Sequence, residues 1–392
     1  MSQHEPNSFL NQWPDAFHTS IKQCINYTLC LQAAAETEAN WDGAGQEEGI
    51  QIWRVENTRD EDDNPKFGIN PWPTSQYGKF YSGDSYIILQ SRKLEDSEGL
   101  VYDIYFWIGK NSSQDEYGVA AYKSVELDDL LGDAPVQHRE VQHRESSAFL
   151  NCFNGDIQYL KGGVESGFRE VGDKENDVGI SGDPRLFLVH RKDRKTMVIE
   201  VSIEQGMNHG DAFLLDCNDK IYTWFGTSSS PFEKNKAAQI AHDLAVARSG
   251  HAVVVRVEDD ADADADAAVF WETLGCTRED IKDTVDYEEL FSDSSSDTQE
   301  TKLYVLSDED SFIRVEERPA ERENLVSDDV CLIDTGKTIF VWIGTGSSLG
   351  EQSQAMLMAQ KHINALGRSA NTCVVRILEG QESRVDGFLG SF

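Results

Sequence analysis

The chain has 392 residues, 35 basic against 70 acidic side chains, a formal charge of −35, and 39% hydrophobic residues. At roughly 100–150 residues per domain, this length predicts about three domains, each able to bury a core of its own. The acidic balance excludes a nucleic-acid partner, because such binding rests on Lys and Arg neutralising phosphates, and it suits a protein that attracts cations. Seven cysteines with no CxxC spacing read as free thiols of a reducing compartment. The start, MSQHEPNSFLNQWP, has no basic segment followed by an apolar run, and no later stretch would span a bilayer, so the expectation is a cytoplasmic protein with no transmembrane segment.

Residues 1–48 stand apart as an N-terminal extension. Phe9, Trp13, Phe17, Ile21, Cys24 and Cys30 fall near helical spacing, with Pro14 at a break or in a first turn. A helix docked on its own protein, or a loose tail, is favoured over a membrane-surface helix because few basic residues flank it.

A first unit, 49–170, opens on the alternating strand GIQIWRVEN. An acidic, proline-containing loop leads to the strand GDSYIILQ at Gly83, then to a strand ending in Trp107 and Gly109, then to a helix entered at Ser113-Gln-Asp-Glu116, which has the capping-box form. APVQHREVQ reads as a strand and ESSAFLNCF as a short helix. A polar, Gly-rich linker covers 171–184, a second unit 185–276, an acidic and Ser-rich linker 277–301, expected to be partly disordered, and a third unit 302–392. The second unit repeats the skeleton as GDAFLLDC and KIYTWFGTSSSPFEKNKAAQIAHDLA, the third as DDVCLIDT and KTIFVWIGTGSSLGEQSQAMLMAQKHI. Trp107, Trp224 and Trp342 recur at steps of 117 and 118, as do Glu116, Glu233 and Glu351. A near-constant period means three copies of one folded unit.

Between Asp84 and Glu116 lie 32 steps, against 22 in the other copies; the extra ten, in QSRKLEDSEGLVYD, predict a longer hairpin loop. The tract DDADADADAA at Asp259 reads as a solvated loop between strand and helix. Each copy yields several strands with helices on both faces of a sheet.

On the long helix, Ala120, Ser124, Leu127 and Leu131 mark the core face, with Ala237, Ala241, Leu244 and Ala355, Ala359 in the other copies. Tyr122 and Val125 lie on the opposite face of copy one, where copy two has Gln239 and His242, and form a patch suited to another protein's groove. Asp84, Asp211 and Asp329 each open a strand, and Glu116, Glu233 and Glu351 each open the long helix. A turn Asp and a helix cap explain one such pair. Threefold pairing of carboxylates points to a shared cation, and an all-oxygen pair suits Ca2+ better than zinc. No EF-hand loop is present. His138-Arg-Glu-Val-Gln-His143 is not a zinc-protease helix, since its histidines are five apart in a strand-like stretch, and no G-x-S-x-G or P-loop occurs, so no enzyme is expected.

GKFYSGDSYIIL, YDIYFWIGKNSSQDEYGVAAYKSVELDD, APVQHREVQ, YLKGGVESGF and FVWIG resemble the gelsolin/villin superfamily, in particular its three-domain members of the severin, fragmin and macrophage-capping type. The resemblance covers 49–392 and leaves no room for three further repeats or a villin headpiece. It implies an α+β fold of three gelsolin-like domains, each a central mixed β-sheet between one long and one short helix. It further implies Ca2+ held in copy one by Gly83, Asp84, Glu116 and the carbonyl of Val164, in copy two by Gly210, Asp211 and Glu233, and in copy three by Asp328, Asp329 and Glu351. Glu288, Glu289 and Asp293 are open choices for the last ligand of copy two, and Asp328 stands where the other copies have Gly. A further Ca2+ shared with actin would use Asp128, Asp133 and Pro135, and the helix of Tyr122 and Val125 would enter the cleft at the barbed end of actin.

The basic cluster of Arg185, Arg191, Lys192, Arg194 and Lys195 resembles the segment that grips the filament side and binds phosphoinositides; NGDIQYLKGG offers only Lys161 as a second lipid segment. The implied function is calcium-dependent filament severing with barbed-end capping, by a cytoplasmic, cytoskeletal monomer that binds actin as monomer and filament end. The alternatives are a capping-only or monomer-binding module, and a calcium-responsive scaffold that has lost actin.

Overall fold

Strand β1 (Gly49–Arg59) shows how the sequence dictates the layers, since Trp53 and Val55 turn to one face of the sheet and Ile52 to the other. The structure, a computed structural model, describes residues 38–59, 65–93, 99–112, 114–132, 135–163, 183–192, 195–248, 251–258, 265–285, 300–309, 312–365 and 372–392. Some side chains inside its elements, including those of Glu116 and Tyr122, lie outside the described ones.

Copy one continues with β2 (Pro65–Pro71), β3 (Lys79–Tyr81), β4 (Ser85–Lys93), β5 (Leu100–Ile108), helix α1 (Gln114–Leu130), β6 (Val136–Val141), the short helix α2 (Ser147–Cys152) and β7 (Ile157–Leu160). Copy two comprises β8 (Arg185–Lys192), β9 (Lys195–Val201), β10 (Ala212–Asp216), β11 (Lys220–Phe225), α3 (Pro231–Ala247), β12 (Val253–Val257) and α4 (Ala265–Leu274). Copy three comprises β13 (Lys302–Glu309), β14 (Phe312–Arg318), β15 (Val330–Asp334), β16 (Thr338–Ile343), α5 (Leu349–Ala365) and β17 (Cys373–Leu378). The first two copies close on a short helix; the third closes on a 3-10 turn at Glu382–Arg384 and further turns.

The strand orders β2-β1-β4-β5-β6, β9-β8-β10-β11-β12 and β14-β13-β15-β16-β17 are one topology three times over. In each, the last two strands are parallel and the long helix is the crossover between them. The sheets do not stay separate. Copies one and three merge into a ten-stranded sheet through antiparallel β6 and β17, and copy two continues through β9 into β7 and β3 of copy one.

The repeated Trp-x-Gly has a backbone cause. A Cβ on Gly109, Gly226 or Gly344 would lie 2.4, 2.4 or 2.2 Å from the carbonyl of Ser82, His209 or Ser327. Each glycine donates its N–H to the carbonyl of Asp84, Asp211 or Asp329, at 2.9, 2.9 and 3.0 Å. The end of one strand therefore fixes the start of its neighbour, where the acidic residue stands. On the helices, Ala120, Ser124, Ala237, Ala241, Ala355 and Ala359 are fully buried against their sheets, as expected for a close approach.

The ten extra residues of copy one lengthen the strands more than the loop, because β4 and β5 pair from Ser85 with Ile108 out to Lys93 with Leu100. Residues 38–48, assigned by sequence to the extension, pack on copy one: Trp41 is buried edge-on against Trp53 at 4.8 Å, and Trp53 Nε1 donates to the Asn40 carbonyl at 2.8 Å. The helical spacing from Phe9 to Cys30, Asp259 to Asp264 of the acidic tract and most of both linkers lie outside the described residues. Among the described residues no disulfide forms, and no helix is long and apolar enough to cross a membrane.

Candidate metal centres and the seam beside them

The clearest donor set is in copy two. Asp211 sits in the turn before β10, Glu233 in the first turn of α3, and His190 near the end of β8; their ligand atoms lie within 4.8 Å of one another. Asp211 and Glu233 are 3% and 4% exposed. Asp211 accepts from His190 Nδ1 at 2.7 Å and from Asn208 Nδ2 at 2.8 Å. Glu233 accepts the backbone N–H of Ser230 at 2.6 Å, closing the capping box, and that of Arg191 at 2.7 Å. Asn208 Oδ1 also accepts from the Gly210 N–H at 2.7 Å, which fixes the turn carrying Gly210 and Asp211. The carboxylates thus converge, and the helix-cap role and the pairing are both real at Glu233. Glu288, Glu289 and Asp293 lie outside the described residues.

In copy one, Asp84 is fully buried and accepts from Arg54 Nε at 2.9 Å, with Arg54 Nη2 at 2.6 Å. The Arg54 guanidinium lies over Trp72 and Tyr81, 5.4 Å from each ring centre. Gly83 donates its N–H to the Gly162 carbonyl at 2.7 Å, and a Cβ on Gly163 would lie 2.6 Å from Asp84 Oδ1. The Gly-Gly segment therefore runs directly past the acidic turn. Val164 follows outside the described residues, and the backbone of Glu116 is in α1 while its side chain is not described. Sequence reasoning missed Arg54, although a lone Arg inside an alternating apolar strand is the signal of a buried partner.

In copy three, Glu351 accepts the Ser348 N–H at 2.8 Å and is buried, whereas Asp328 is exposed. Arg318 Nη1 stands 3.9 Å from Asp329 Oδ2. Burial raises the Asp329 carboxyl above its ordinary range and Asp328 adds to this, against the pull of Arg318. A divalent ion here would relieve that repulsion. The oxygen-rich sets of the copies suit a hard cation; when bound, it would supply positive charge to carboxylates that otherwise lean on Arg54, His190 and Arg318.

Asp128, expected beside an actin-shared ion, is 2% exposed and bonded to Arg376 Nη1 of β17 at 3.0 Å. It lies on the seam between copies one and three. There Val374, Val375 and Arg376 pair with Arg139, His138 and Gln137, Arg139 Nη1 donates to the Thr372 carbonyl at 2.7 Å, and Arg384 Nη2 donates to the Tyr102 carbonyl at 2.8 Å. Behind it Asp103 accepts from His138 at 3.1 Å and also from Arg92. Burial alone would raise Asp103, but these partners with Arg384 outweigh it and hold it at about 2. Pro135 is buried and Asp133 lies outside the described residues. Val125 is half-buried and not fully exposed, while Tyr122 is in α1 with its side chain undescribed. Met356 of α5 packs against the copy-one core as well as its own.

Arg185 stands apart from the rest of the basic cluster, while Lys192 pairs with Lys195 across the β8–β9 hairpin. Arg185 is engaged by Glu200 at 3.0 and 2.6 Å, whereas Arg191 lies six residues along β8 with its guanidinium 3.5 Å from the Phe232 ring centre; at about 3.4 Å per residue, they are about 20 Å apart. Lys195 is half-buried, the Lys192 side chain is undescribed, and Arg194 is outside the described residues.

A recurring five-strand unit with a crossover helix and an acidic turn defines the class of this protein. A family model described as the gelsolin repeat matches residues 70–150, 195–263 and 311–385, so the chain belongs to the gelsolin family. It is 38% identical to a cytoplasmic gelsolin of Homarus americanus over 88% of this chain and 44% of that protein. It is 34% identical to "actin depolymerising venom protein gelsolin 1" of Platymeris rhadamanthus over 91% of this chain and 92% of that one, and 37% identical to gelsolin-like protein 1 of Lumbricus terrestris over 84% of each. The chain spans less than half the length of the lobster protein and of a Drosophila melanogaster gelsolin, of which it covers 41%.

Proposed function

We propose that the chain is a calcium-responsive actin-binding protein that severs filaments and caps their barbed ends, acting in the cytoplasm without covalent chemistry. The relative from Platymeris rhadamanthus, matched over nearly its whole length, is named for depolymerising actin. The observation that carries the reading is the burial of Asp128 under Arg376: the residue that the family resemblance assigns to the actin-bound ion is held by another copy of the repeat.

Asp84, Asp211 and Asp329 would hold calcium in the acidic turns, where its charge would replace that of Arg54, His190 and Arg318 beside the carboxylates, and the copies would then loosen from one another. Copy two attaches to the filament side, and the tether presents copy one to a subunit interface at high local concentration. Helix α1, with Tyr122 and Val125, then enters the actin cleft, and Asp128, Asp133 and Pro135 share an ion with actin. Gly83, Asp84, Glu116 and Val164, then Gly210, Asp211 and Glu233, then Asp328, Asp329 and Glu351, are the proposed ligands of the three internal ions. Because Arg185 is held by Glu200, phosphoinositide contact falls to Arg191 and its neighbours Lys192, Arg194 and Lys195.

Single-filament imaging at micromolar and chelated calcium, with Tyr122→Asp as comparator, tests this. Internal breaks that need calcium and disappear in the variant are expected. Blocked growth without breaks would reduce the function to capping, and absence of any actin binding would leave a scaffold.

A further inference from the structure

We propose that the second-copy centre binds a borderline transition ion of the Zn2+ class, through His190 Nδ1, Asp211 and Glu233, as well as the calcium assigned above. The inference rests on that reading of the acidic turns and adds to it a nitrogen donor. Among the described residues, these three form the one group of His, Cys, Asp and Glu able to converge on an ion.

The donors come from three separate elements, β8, the turn before β10, and α3, so they are not a run of surface acids. Each is braced from behind. Asn208 holds the second oxygen of Asp211 at 2.8 Å, while the N–H groups of Ser230 and Arg191 each take one oxygen of Glu233 at 2.6 and 2.7 Å, leaving a further lone pair on each. Such outer partners orient ligands before an ion arrives. Donors about 2.0–2.2 Å from one zinc stand about 3.3–3.6 Å apart at tetrahedral angles, so a set whose atoms lie within 4.8 Å of one another must close by no more than about 1.5 Å. In the tautomer protonated at Nε2, Nδ1 offers its lone pair to the same space as Asp211 Oδ1, 2.7 Å away. Three protein donors leave a fourth position for water.

Nitrogen is what separates this copy from the others. Continuing the pairing of β8 with β10 by one residue sets His190 opposite Asp211. The same step sets Glu56 opposite Asp84 in copy one and Ser307 opposite Asp329 in copy three. Calcium gains little from an imidazole, whereas zinc, cobalt and nickel favour one.

The test uses the full chain titrated with Co2+, read by its visible d–d absorption, with Zn2+ as competitor, and with Ca2+ binding followed separately by calorimetry. A band of a four- or five-coordinate N/O site, displaced by Zn2+, is expected, and His190→Gln should weaken Co2+ and Zn2+ at least tenfold without weakening calcium binding. His190→Asp, which restores an all-oxygen set, should lose Zn2+ and retain or tighten Ca2+, a swap that misfolding cannot mimic. Zn2+ binding that is absent in the wild type, or unaltered in both variants, overturns the proposal and leaves the calcium reading intact. Zn2+ binding that depends on His190 in a chain that binds no calcium supports it and removes the calcium reading instead.

Discussion

Arg376 Nη1 lies 3.0 Å from Asp128 Oδ2, and the two side chains, from the third and first copies, are 7% and 3% exposed. Neither could be so dry if β6 and β17 were not joined, so the pair and the seam depend on each other. Breaking one partner of a buried pair costs about 3–5 kcal/mol. In Arg376→Ala the abandoned carboxylate is better solvated in the open arrangement. The expected result is severing at several-fold lower calcium than in the wild type, read from the calcium midpoint in a filament-length assay. An unchanged midpoint would show that the pair does not restrain copy one.

Asp84→Ala should destabilise copy one more than it alters any surface property. The Arg54 guanidinium is 5% exposed and would be left without its carboxylate, a loss of about 3–5 kcal/mol. Urea unfolding followed by tryptophan fluorescence should show it, and an unshifted midpoint would mean that Arg54 finds another partner.

Gly226→Ala places a methyl 2.4 Å from the His209 carbonyl, backbone against backbone, so nothing flexible can yield. Overpacking of this kind costs about 1–3 kcal/mol, and the displaced turn carries Asp211. Both the melting temperature and calcium affinity of copy two should fall; a variant that melts as the wild type does would contradict the packing account.

Glu145 and His143 oppose one another in pH dependence. Burial raises Glu145 to about 7, against the hydrogen bond from Trp107 Nε1 at 2.8 Å. Burial, helped by Lys110 and Arg144, lowers His143 to about 4. Between the ordinary 4.5 and 7 the folded chain keeps a Glu145 proton that the unfolded chain has released, so stability falls as pH rises. Between 4 and 6.5 the unfolded chain takes a His143 proton that the folded one refuses, so stability rises with pH. Glu145→Gln keeps an acceptor for Trp107 and removes only the first effect. Its unfolding midpoint, compared with that of the wild type, should fall more steeply on going from pH 7 to pH 4.5, and equal slopes would refute the assignment.

The tripled unit was legible because its markers are forced by backbone geometry. Trp107, Trp224 and Trp342 fill cores, and no side chain fits at Gly109, Gly226 or Gly344. The small residues of the long helices were legible for the same steric reason. The seam was not. Val136–Val141 reads as a strand of mostly polar residues, yet Gln137, His138, Arg139 and Glu140 are all buried: Asp103 and the Thr372 carbonyl, distant in sequence, satisfy His138 and Arg139, and Ser146, six residues on, satisfies Glu140. Polarity in a strand says nothing about which neighbour will neutralise it. Likewise the run from Arg185 to Lys195 looks like one basic patch until the 3.4 Å rise of a strand, about 20 Å in all from Arg185 to Arg191, and the carboxylate of Glu200 divide it.

Amide hydrogen exchange across Val136–Val141 and Cys373–Leu378, with and without calcium and then with actin added, tests the opening most directly. The account predicts protection of both strands in chelator, loss of it as calcium rises, and actin binding over the same calcium range. Strands that stay protected in a calcium-saturated, actin-bound complex would contradict it.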